Sequence, residues 1–296
     1  MRVFLTGATG FIGSAIIPEL IQGGHTVLGL TRSDEGAQAL IAAGAEPHRG
    51  HLEDLDSLRS GAAQADAVIH CAFIHDFSDF AQFARNCEVD KRAIEAMGEV
   101  LAGTDKPFLI SSGLGPWAAP GKPLTEDIDP PAVSHLPRVS ETFGMTLREK
   151  GVNVSIMRLP QVHDPVKQGL VTYLVPIARA KGVSAYVGEG NARWPAAHVK
   201  DVAKLYKLAI ERAEPGAKYH AVDEEGVSLR EIAEALGRGL KVPVISVAPE
   251  DAVAHFGFVG AFAGLDLTAS SAITRETLGW KPTGPGMIAD LDAMRY

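Results

Sequence analysis

The sequence predicts an α/β fold, in which a doubly wound parallel sheet carries a smaller C-terminal lobe. Short apolar segments alternate with amphipathic ones as far as Arg158, a glycine-rich turn follows the first apolar segment, and the alternation becomes irregular after Leu159. Strands of a parallel sheet covered by helices on both faces are short apolar runs of this kind. We expect the sheet domain at residues 1–160 and the lobe at 161–296, with residues 184–222 returning to pack on the sheet.

In the first half, a predicted helix follows almost every predicted strand. The first strand is Arg2–Thr6, and the helix after it, Phe11–Gln22, ends at Gly23 and Gly24. The other strands are predicted at His25–Leu30, Ala45–Arg49, Ala67–Ala72, Pro107–Ser111 and Val152–Arg158. The other helices are predicted at Ser33–Ala43, Asp54–Ala63, Phe80–Ala102 and Arg138–Lys150. This alternation indicates parallel pairing.

The second half alternates less regularly and predicts the lobe. Helices are predicted at Leu170–Lys181, His198–Arg212, Ser228–Arg238, Asp251–Phe256 and Ser270–Leu278. Strands are predicted at Ser184–Val187, Tyr219–Val222 and Val242–Val247. The segment GWKPTGPG at residues 279–286 is rich in glycine and proline, which favour turns. We expect this lobe to lie against the carboxyl edge of the sheet.

Composition and charge exclude several classes of function. The net charge is −8, and no cluster of Lys and Arg is present to neutralise the phosphates of a nucleic acid or an anionic membrane. The two cysteines, Cys71 and Cys87, lie in no zinc-binding spacing, so we expect no metal. No apolar run reaches the roughly 18 residues of a membrane span, and the N-terminus lacks a signal-peptide pattern. These features predict a soluble cytoplasmic protein.

The glycine-rich turn is the strongest functional signal. It reads Thr6-Gly7-Ala8-Thr9-Gly10-Phe11-Ile12-Gly13 and joins the first strand to the first helix. Gly7 permits the tight turn, Gly10 lets a diphosphate approach the backbone, and Gly13 lets the helix pack closely on the strand. The start of the helix then presents N–H groups and a positive dipole to phosphate. The sequence therefore predicts a Rossmann-type dinucleotide site.

The end of the second strand indicates which dinucleotide binds. Arg32 and Ser33 stand where an enzyme that uses NAD usually has an acidic residue to hold the ribose 2′-hydroxyl. A guanidinium suits a 2′-phosphate, which favours NADP. The alternative is that Arg32 is a solvated surface residue and that Asp34 holds the ribose of NAD. Asp34 and Glu35, however, suit the first turn of the following helix.

Four segments carry a family resemblance. They are TGATGFIGS at residues 6–14, ADAVIHCA at 65–72, Ile110-Ser111-Ser112, and the segment RWPAAHVKDVA at 193–203. Together they resemble the extended or atypical short-chain dehydrogenase/reductases of the NAD-dependent epimerase/dehydratase kind. With the glycine-rich turn and Arg32, the resemblance implies these cofactor-binding residues: Gly7, Thr9, Gly10, Phe11, Ile12, Gly13, Arg32, Ser33, Leu52, Ala72, Phe73 and Pro160. It also implies a homodimer formed through the helices predicted at Phe80–Ala102 and Arg138–Lys150.

The chain departs from this family at its reactive residues. Ser112 matches the family serine, but Pro137 and Glu141 stand where the tyrosine and lysine of the YxxxK motif are expected. Asp90 stands at the position of the assisting asparagine. Since proline has no proton to donate, the proton donor is expected elsewhere. This pattern resembles an atypical subgroup that lacks the YxxxK pair.

Three residues are the candidates for chemistry. Ser112 would polarise a substrate oxygen, and His75 or His163, each placed after a predicted strand, would transfer the proton. Each could instead make only a structural hydrogen bond, and Tyr173 and Tyr186 are further hydroxyl candidates. The expected function is an NADP-dependent oxidoreductase for a small, partly apolar carbonyl substrate. The alternatives are an NADPH-binding regulator without turnover and an NAD(P)-dependent epimerase or dehydratase.

Overall fold

The computed structural model describes residues 1–76, 80–131 and 137–296 and has the predicted α/β architecture. Its strands are β1 Arg2–Thr6, β2 Thr26–Thr31, β3 Glu46–Arg49, β4 Ala67–His70, β5 Pro107–Gly113, β6 Asn153–Leu159, β7 Gln161–His163, β8 Ser184–Val187, β9 Arg193–His198, β10 Lys218–His220, β11 Glu224–Ser228 and β12 Val244–Val247. Its helices are α1 Phe11–Gln22, α2 Asp34–Ala42, α3 Leu55–Ala63, α4 Phe80–Leu101, α5 Ser140–Thr146, α6 Val171–Lys181, α7 Val199–Arg212, α8 Leu229–Leu240, α9 Ala252–Phe256, α10 Gly260–Ala263, α11 Ala272–Leu278 and α12 Met287–Ala293.

The central sheet has seven parallel strands in the order β10-β6-β5-β4-β1-β2-β3. The strand order reverses next to β1, where β2 lies on one side and β4 on the other. In open α/β sheets, ligands bind outside the carboxyl ends of the strands at such a reversal. The topology therefore places a binding site at the ends of β1, β4 and β5.

Helices cover both faces of this sheet because alternate side chains of each strand point to opposite faces. Val3 and Leu5 of β1 pack in one core with residues of α1 and α7. Phe4, between them, packs in a second core with residues of α3 and α4. All three side chains are fully buried. Burial on both faces explains why consecutive residues of this strand are apolar.

The second half adds two small sheets to the central one. One has the order β11-β9-β7, with β11 antiparallel and β7 parallel to β9, and the other pairs β12 with β8. Side chains of α6, α8, α9, α10 and α12 form a separate core with these strands. Residues 199–220, which form α7 and β10, instead lie on the central sheet. Among the helices of the described ranges, none is both long and apolar enough for a bilayer span.

Several elements differ from the sequence predictions. Strands β7, β9 and β11 were not expected, since runs of three to six residues are too short to show a clear period. Helix α12 was not predicted; it begins directly after the turn-rich segment at residues 279–286, whose last residue, Gly286, is its N-cap. The helix predicted at Arg138–Lys150 is only α5, followed by a 3-10 turn at Leu147–Lys150. Threonine and glycine are poor helix formers, which is consistent with this short α-helix.

Candidate functional site

The glycine-rich turn (Thr6–Gly13) is packed so closely that side chains are excluded at two of its glycines. Gly7 has φ +69°, and a Cβ added there would lie 2.8 Å from the backbone nitrogen of Ala72. A Cβ added at Gly13 would lie 2.1 Å from the carbonyl oxygen of Gly7. The Gly10 amide donates to the same carbonyl at 2.8 Å, which closes the turn. The tight turn and the close approach of helix to strand therefore both require glycine.

Helix α1 begins directly after this turn and has no side-chain cap. Its N-cap is Gly10, and no side chain accepts a hydrogen bond from the first amides of the helix. The first amides of an α-helix have no partner within the helix, so those of Phe11, Ile12 and Gly13 are donors for a ligand. Thr9 precedes them in the turn. The residues present thus fit a diphosphate, which would satisfy these donors and favour the helix dipole.

The end of β2 carries an exposed arginine. Arg32 makes no hydrogen bond or ion pair with any residue in the described parts of the chain. Ser33 caps α2 by accepting from the Gly36 amide at 3.0 Å, and its hydroxyl also interacts with the carboxylate of Glu35. Asp34, the alternative ribose ligand, forms an ion pair with Arg49 at the end of β3. Leu52, expected beside the adenine, is buried against the core residues of this edge.

The ends of β1 and β4 are tied together next to the turn. The Thr6 hydroxyl oxygen accepts hydrogen bonds from the backbone amides of Cys71 and Ala72, each at 3.2 Å. This places Ala72 beside Gly7 and leads the chain on to Phe73, which is half-buried. Pro160, between β6 and β7, is also half-buried. We call Ala72, Phe73, His75, Ser112 and Arg138 the strand-end site.

Ser112 lies near the end of β5, between β4 and β6. Its side chain makes no hydrogen bond to another described residue, although only 6% of the residue is exposed. The neighbouring Ser111 hydroxyl is instead bonded to the Tyr206 hydroxyl at 2.6 Å. Burial raises the pKa of Tyr206 well above its usual value, so this phenol stays neutral. Of the two serines, only Ser112 has a hydroxyl that is left for a ligand.

His75 follows β4 and is exposed to solvent at one side. Desolvation by the surrounding protein atoms lowers its pKa, and the nearby charge of Arg138 lowers it further. The ring is therefore neutral at pH 7. A neutral imidazole accepts a proton readily, whereas its protonated form is populated only in acid.

The structure places His163 away from any accessible surface, which corrects its expected role as proton donor. The ring is fully buried, and its Nδ1 lies 2.6 Å from a carboxylate oxygen of Asp290 in α12. Burial lowers the pKa of His163 despite that carboxylate. His198 packs edge-on against the ring, with a centroid distance of 5.8 Å. Since no substrate reaches a fully buried ring, the geometry assigns His163 to the attachment of α12.

The residue at the expected lysine position has a structural partner. Both carboxylate oxygens of Glu141 accept from the guanidinium of Arg158, at 2.9 and 2.6 Å, and both side chains are buried. Arg158 also donates to the carbonyl of Ile128 and contacts His220 at 3.0 Å. Burial, followed by the charge of Arg158, lowers the pKa of His220 to about 3. Glu141 therefore neutralises a buried arginine.

One residue of the strand-end site escaped the sequence analysis. Arg138 was expected only as the start of a helix, yet its guanidinium lies 4.3 Å from the centre of the Phe73 ring. The signal that could have found it is a basic residue just before a helix that follows a carboxyl strand end. No group of His, Cys, Asp and Glu in the ranges that the structure covers is arranged to hold a metal.

Comparison with known proteins identifies the family of the chain. The model of the NAD dependent epimerase/dehydratase family matches residues 3–223. An uncharacterised protein of Schizosaccharomyces pombe is 46% identical over 297 positions that cover 100% of both chains. The decarboxylating sterol-4-alpha-carboxylate 3-dehydrogenase of Dictyostelium discoideum is 28% identical over 244 positions, covering 77% of this chain and 73% of that protein.

A solved structure shows the same fold at lower identity. It is the dTDP-glucose 4,6-dehydratase DesIV from Streptomyces venezuelae with NAD and TYD bound. The TM-score is 0.75 at 19% identity, and the superposition covers 100% of this chain and 96% of that chain. The family match and the site geometry lead to one conclusion: the chain belongs to the NAD-dependent epimerase/dehydratase family, which makes it an oxidoreductase that depends on a nicotinamide dinucleotide.

Proposed function

We propose that the protein is an NADP-dependent oxidoreductase that acts on a small, partly apolar carbonyl compound. One observation carries the proposal: the uncapped start of α1 and the unbonded hydroxyl of Ser112 lie at the same carboxyl edge of the central sheet. A dinucleotide held by the start of α1 would reach the Ser112 hydroxyl along the ends of β1, β4 and β5. When bound, the cofactor supplies or accepts the hydride.

Arg32 and Ser33 support the choice of NADP. The Arg32 guanidinium has no other partner among the described residues, and a 2′-phosphate would provide one. The Ser33 hydroxyl would donate a further hydrogen bond to that phosphate. The competing acid, Asp34, is already paired with Arg49. We further propose that Leu52 contacts the adenine and that Ala72, Phe73 and Pro160 line the ribose and nicotinamide.

Ser112 and His75 are proposed to act on the substrate. The Ser112 hydroxyl would donate a hydrogen bond to the carbonyl oxygen and so stabilise the negative charge that develops there. His75 would exchange the proton with that oxygen, as a base in the oxidative direction and as an acid in the reductive direction. Its lowered pKa favours the base at neutral pH.

A second candidate function is an NADPH-binding regulator without turnover. The observation that favours it is the use of Glu141 to neutralise Arg158, together with proline at position 137, which leaves no tyrosine and lysine pair at these positions. A third candidate, an epimerase or dehydratase, would use the same cofactor site. Cofactor binding alone does not separate the three, so an activity measurement is needed.

The cofactor assignment predicts a selective effect of Arg32→Ala. In a fluorescence titration, the variant should bind NADPH about 10- to 100-fold more weakly, since one charge-assisted contact is lost. Its affinity for NADH should not change, because NADH has no 2′-phosphate. Wild-type protein that binds NADH and NADPH equally well would end the NADP assignment.

The proton-transfer role of His75 predicts a pH profile for carbonyl reduction. NADPH oxidation should be measured with a panel of aldehydes and ketones between pH 8 and pH 5. The rate should rise as the pH falls, since a histidine with a lowered pKa becomes an acid only below its usual value near 6.5. His75→Gln should lower kcat about 100-fold and flatten the profile. Tight NADPH binding without oxidation across the whole panel would favour the regulator.

A further inference from the structure

Arg138 is held in the strand-end site by contacts on three sides. Its Nε donates to the Ser140 hydroxyl at 3.0 Å, and one terminal nitrogen donates to the Ser111 carbonyl at 3.4 Å. The guanidinium also lies over the ring of Phe73, with a distance of 4.3 Å to the ring centre. Through the Ser111 carbonyl, the cation lies at the same end of β5 as Ser112, whose hydroxyl is proposed to bind the substrate oxygen.

A buried hydrogen-bond network fixes this position, and its direction follows from Thr6. The Thr6 oxygen already accepts two backbone amides, so its own proton is donated to Nδ1 of His70, 2.8 Å away. His70 therefore carries its proton on Nε2 and donates it to Asp90 at 3.1 Å. Both His70 and Asp90 are buried.

The other oxygen of Asp90 completes the network. It accepts from the Ser140 hydroxyl at 2.6 Å, and the oxygen of Ser140 accepts from Arg138. Burial would raise the pKa of Asp90, but its hydrogen bonds with His70 and Ser140 and the charge of Arg138 outweigh burial and lower it. Asp90 is therefore ionised, and each of its carboxylate oxygens has a donor. The network positions Arg138 through Ser140, without a direct ion pair.

Arg138 keeps donors that the protein does not use. No carboxylate lies within ion-pair distance of its guanidinium in residues 1–76, 80–131 and 137–296, and its contacts leave N–H groups unpaired. A second cation, Lys167, lies 6.0 Å from the centre of the Phe11 ring and likewise has no ion pair within those residues. Both charges lower the pKa of His75, so both lie near it. Two cations thus act on His75, and the carboxylate of the ionised Asp90 opposes them there.

Aromatic rings form the wall next to Arg138. Phe73 packs edge-on against Phe83 of α4, with ring centres 6.3 Å apart. Phe83 in turn contacts Phe258 at 5.7 Å, and Phe258 contacts Phe262 of α10 at 5.4 Å. This wall joins the end of β4 to the C-terminal half of the chain. It offers ring faces and edges to a planar or apolar molecule.

We propose that Arg138 binds a carboxylate of the substrate, so that the preferred substrates are apolar or aromatic carbonyl compounds that carry a carboxylate. The unused N–H groups of Arg138 provide two-pronged recognition of that group, and the aromatic wall contacts the apolar body. The inference rests on the proposed function, since it places this molecule beside Ser112. It can be tested separately from that function, because carboxylate recognition by Arg138 is measured by binding alone, without turnover.

Calorimetry with benzoate and benzamide tests the inference without turnover. The two probes share a phenyl ring and differ in charge. The wild-type protein saturated with NADPH should bind benzoate about tenfold or more tightly than benzamide. Arg138→Gln, which keeps a donor for Ser140, should abolish this preference, and Arg138→Lys should restore part of it. The matched control is Arg92→Gln, an exposed arginine of α4 paired with Glu88, which should leave the preference unchanged.

The outcomes separate this inference from the proposed function. Equal affinity of the wild-type protein for benzoate and benzamide, or a benzoate preference that survives Arg138→Gln, would overturn the role of Arg138. Failure to bind NADPH would overturn the proposed function instead, and benzoate binding is then tested without cofactor. With active protein, phenylglyoxylate should be reduced with a higher kcat/KM than its methyl ester, and Arg138→Gln should remove that difference.

Discussion

Replacing Gly13 with alanine is expected to weaken dinucleotide binding by roughly 100-fold. The new Cβ would lie 2.1 Å from the Gly7 carbonyl, which is backbone and has no rotamer by which to move away. Helix α1 would therefore shift from the glycine-rich turn and carry its first amides away from the diphosphate. The loss of one or two charge-assisted hydrogen bonds accounts for about 3 kcal/mol of binding free energy.

The same substitution should also destabilise the fold, by about 1–3 kcal/mol, as overpacked sites do. NADPH titration and urea unfolding measure the two effects separately. Gly264→Ala is the matched control, because a Cβ there meets only the Val187 side chain at 3.8 Å. It should leave both cofactor affinity and stability close to wild type. A Gly13→Ala protein that bound NADPH with wild-type affinity would show that α1 does not hold the diphosphate.

Glu141→Leu is expected to lower the free energy of unfolding by about 3–5 kcal/mol, because it leaves the buried charge of Arg158 without its carboxylate. The double variant Glu141→Leu with Arg158→Met removes both charges and should recover much of this loss. Urea unfolding of the two single variants and the double variant measures the coupling.

The exposed residue Glu88 provides the control for this series. Its ion pair with Arg92 lies on the surface of α4, where water screens both charges, so Glu88→Leu should change stability little. If Glu141→Leu lowered the free energy of unfolding as little as Glu88→Leu, the buried ion pair would not stabilise the fold as inferred. A strong coupling free energy between Glu141 and Arg158 would show that position 141, where the family lysine is expected, serves the packing of α5 on β6 in this protein.

The sequence alone determined the central sheet and the glycine-rich turn. Six predicted strands and the helices between them match β1 to β6 and α1 to α5 in order, because the central strands are buried on both faces and are therefore mainly apolar. The turn was predictable because the glycine positions follow from local backbone geometry. The family features carried by Thr6–Ser14 are likewise local.

Only the tertiary structure decided which polar residues share a site. His75 and His163 were both predicted after strands, yet His75 is exposed after β4 and His163 is buried against Asp290, 127 positions later in the chain. Glu141 forms an ion pair with Arg158 of β6. Arg138 is positioned by its hydrogen bond to Ser140, which in turn donates to Asp90 of α4. The contacts of Glu141 with Arg158, Ser140 with Asp90 and His163 with Asp290 join different elements of the fold, and no local pattern encodes them. Backbone turns and buried strands depend on neighbouring residues, whereas the charge and hydrogen bonding of a site depend on how the elements pack.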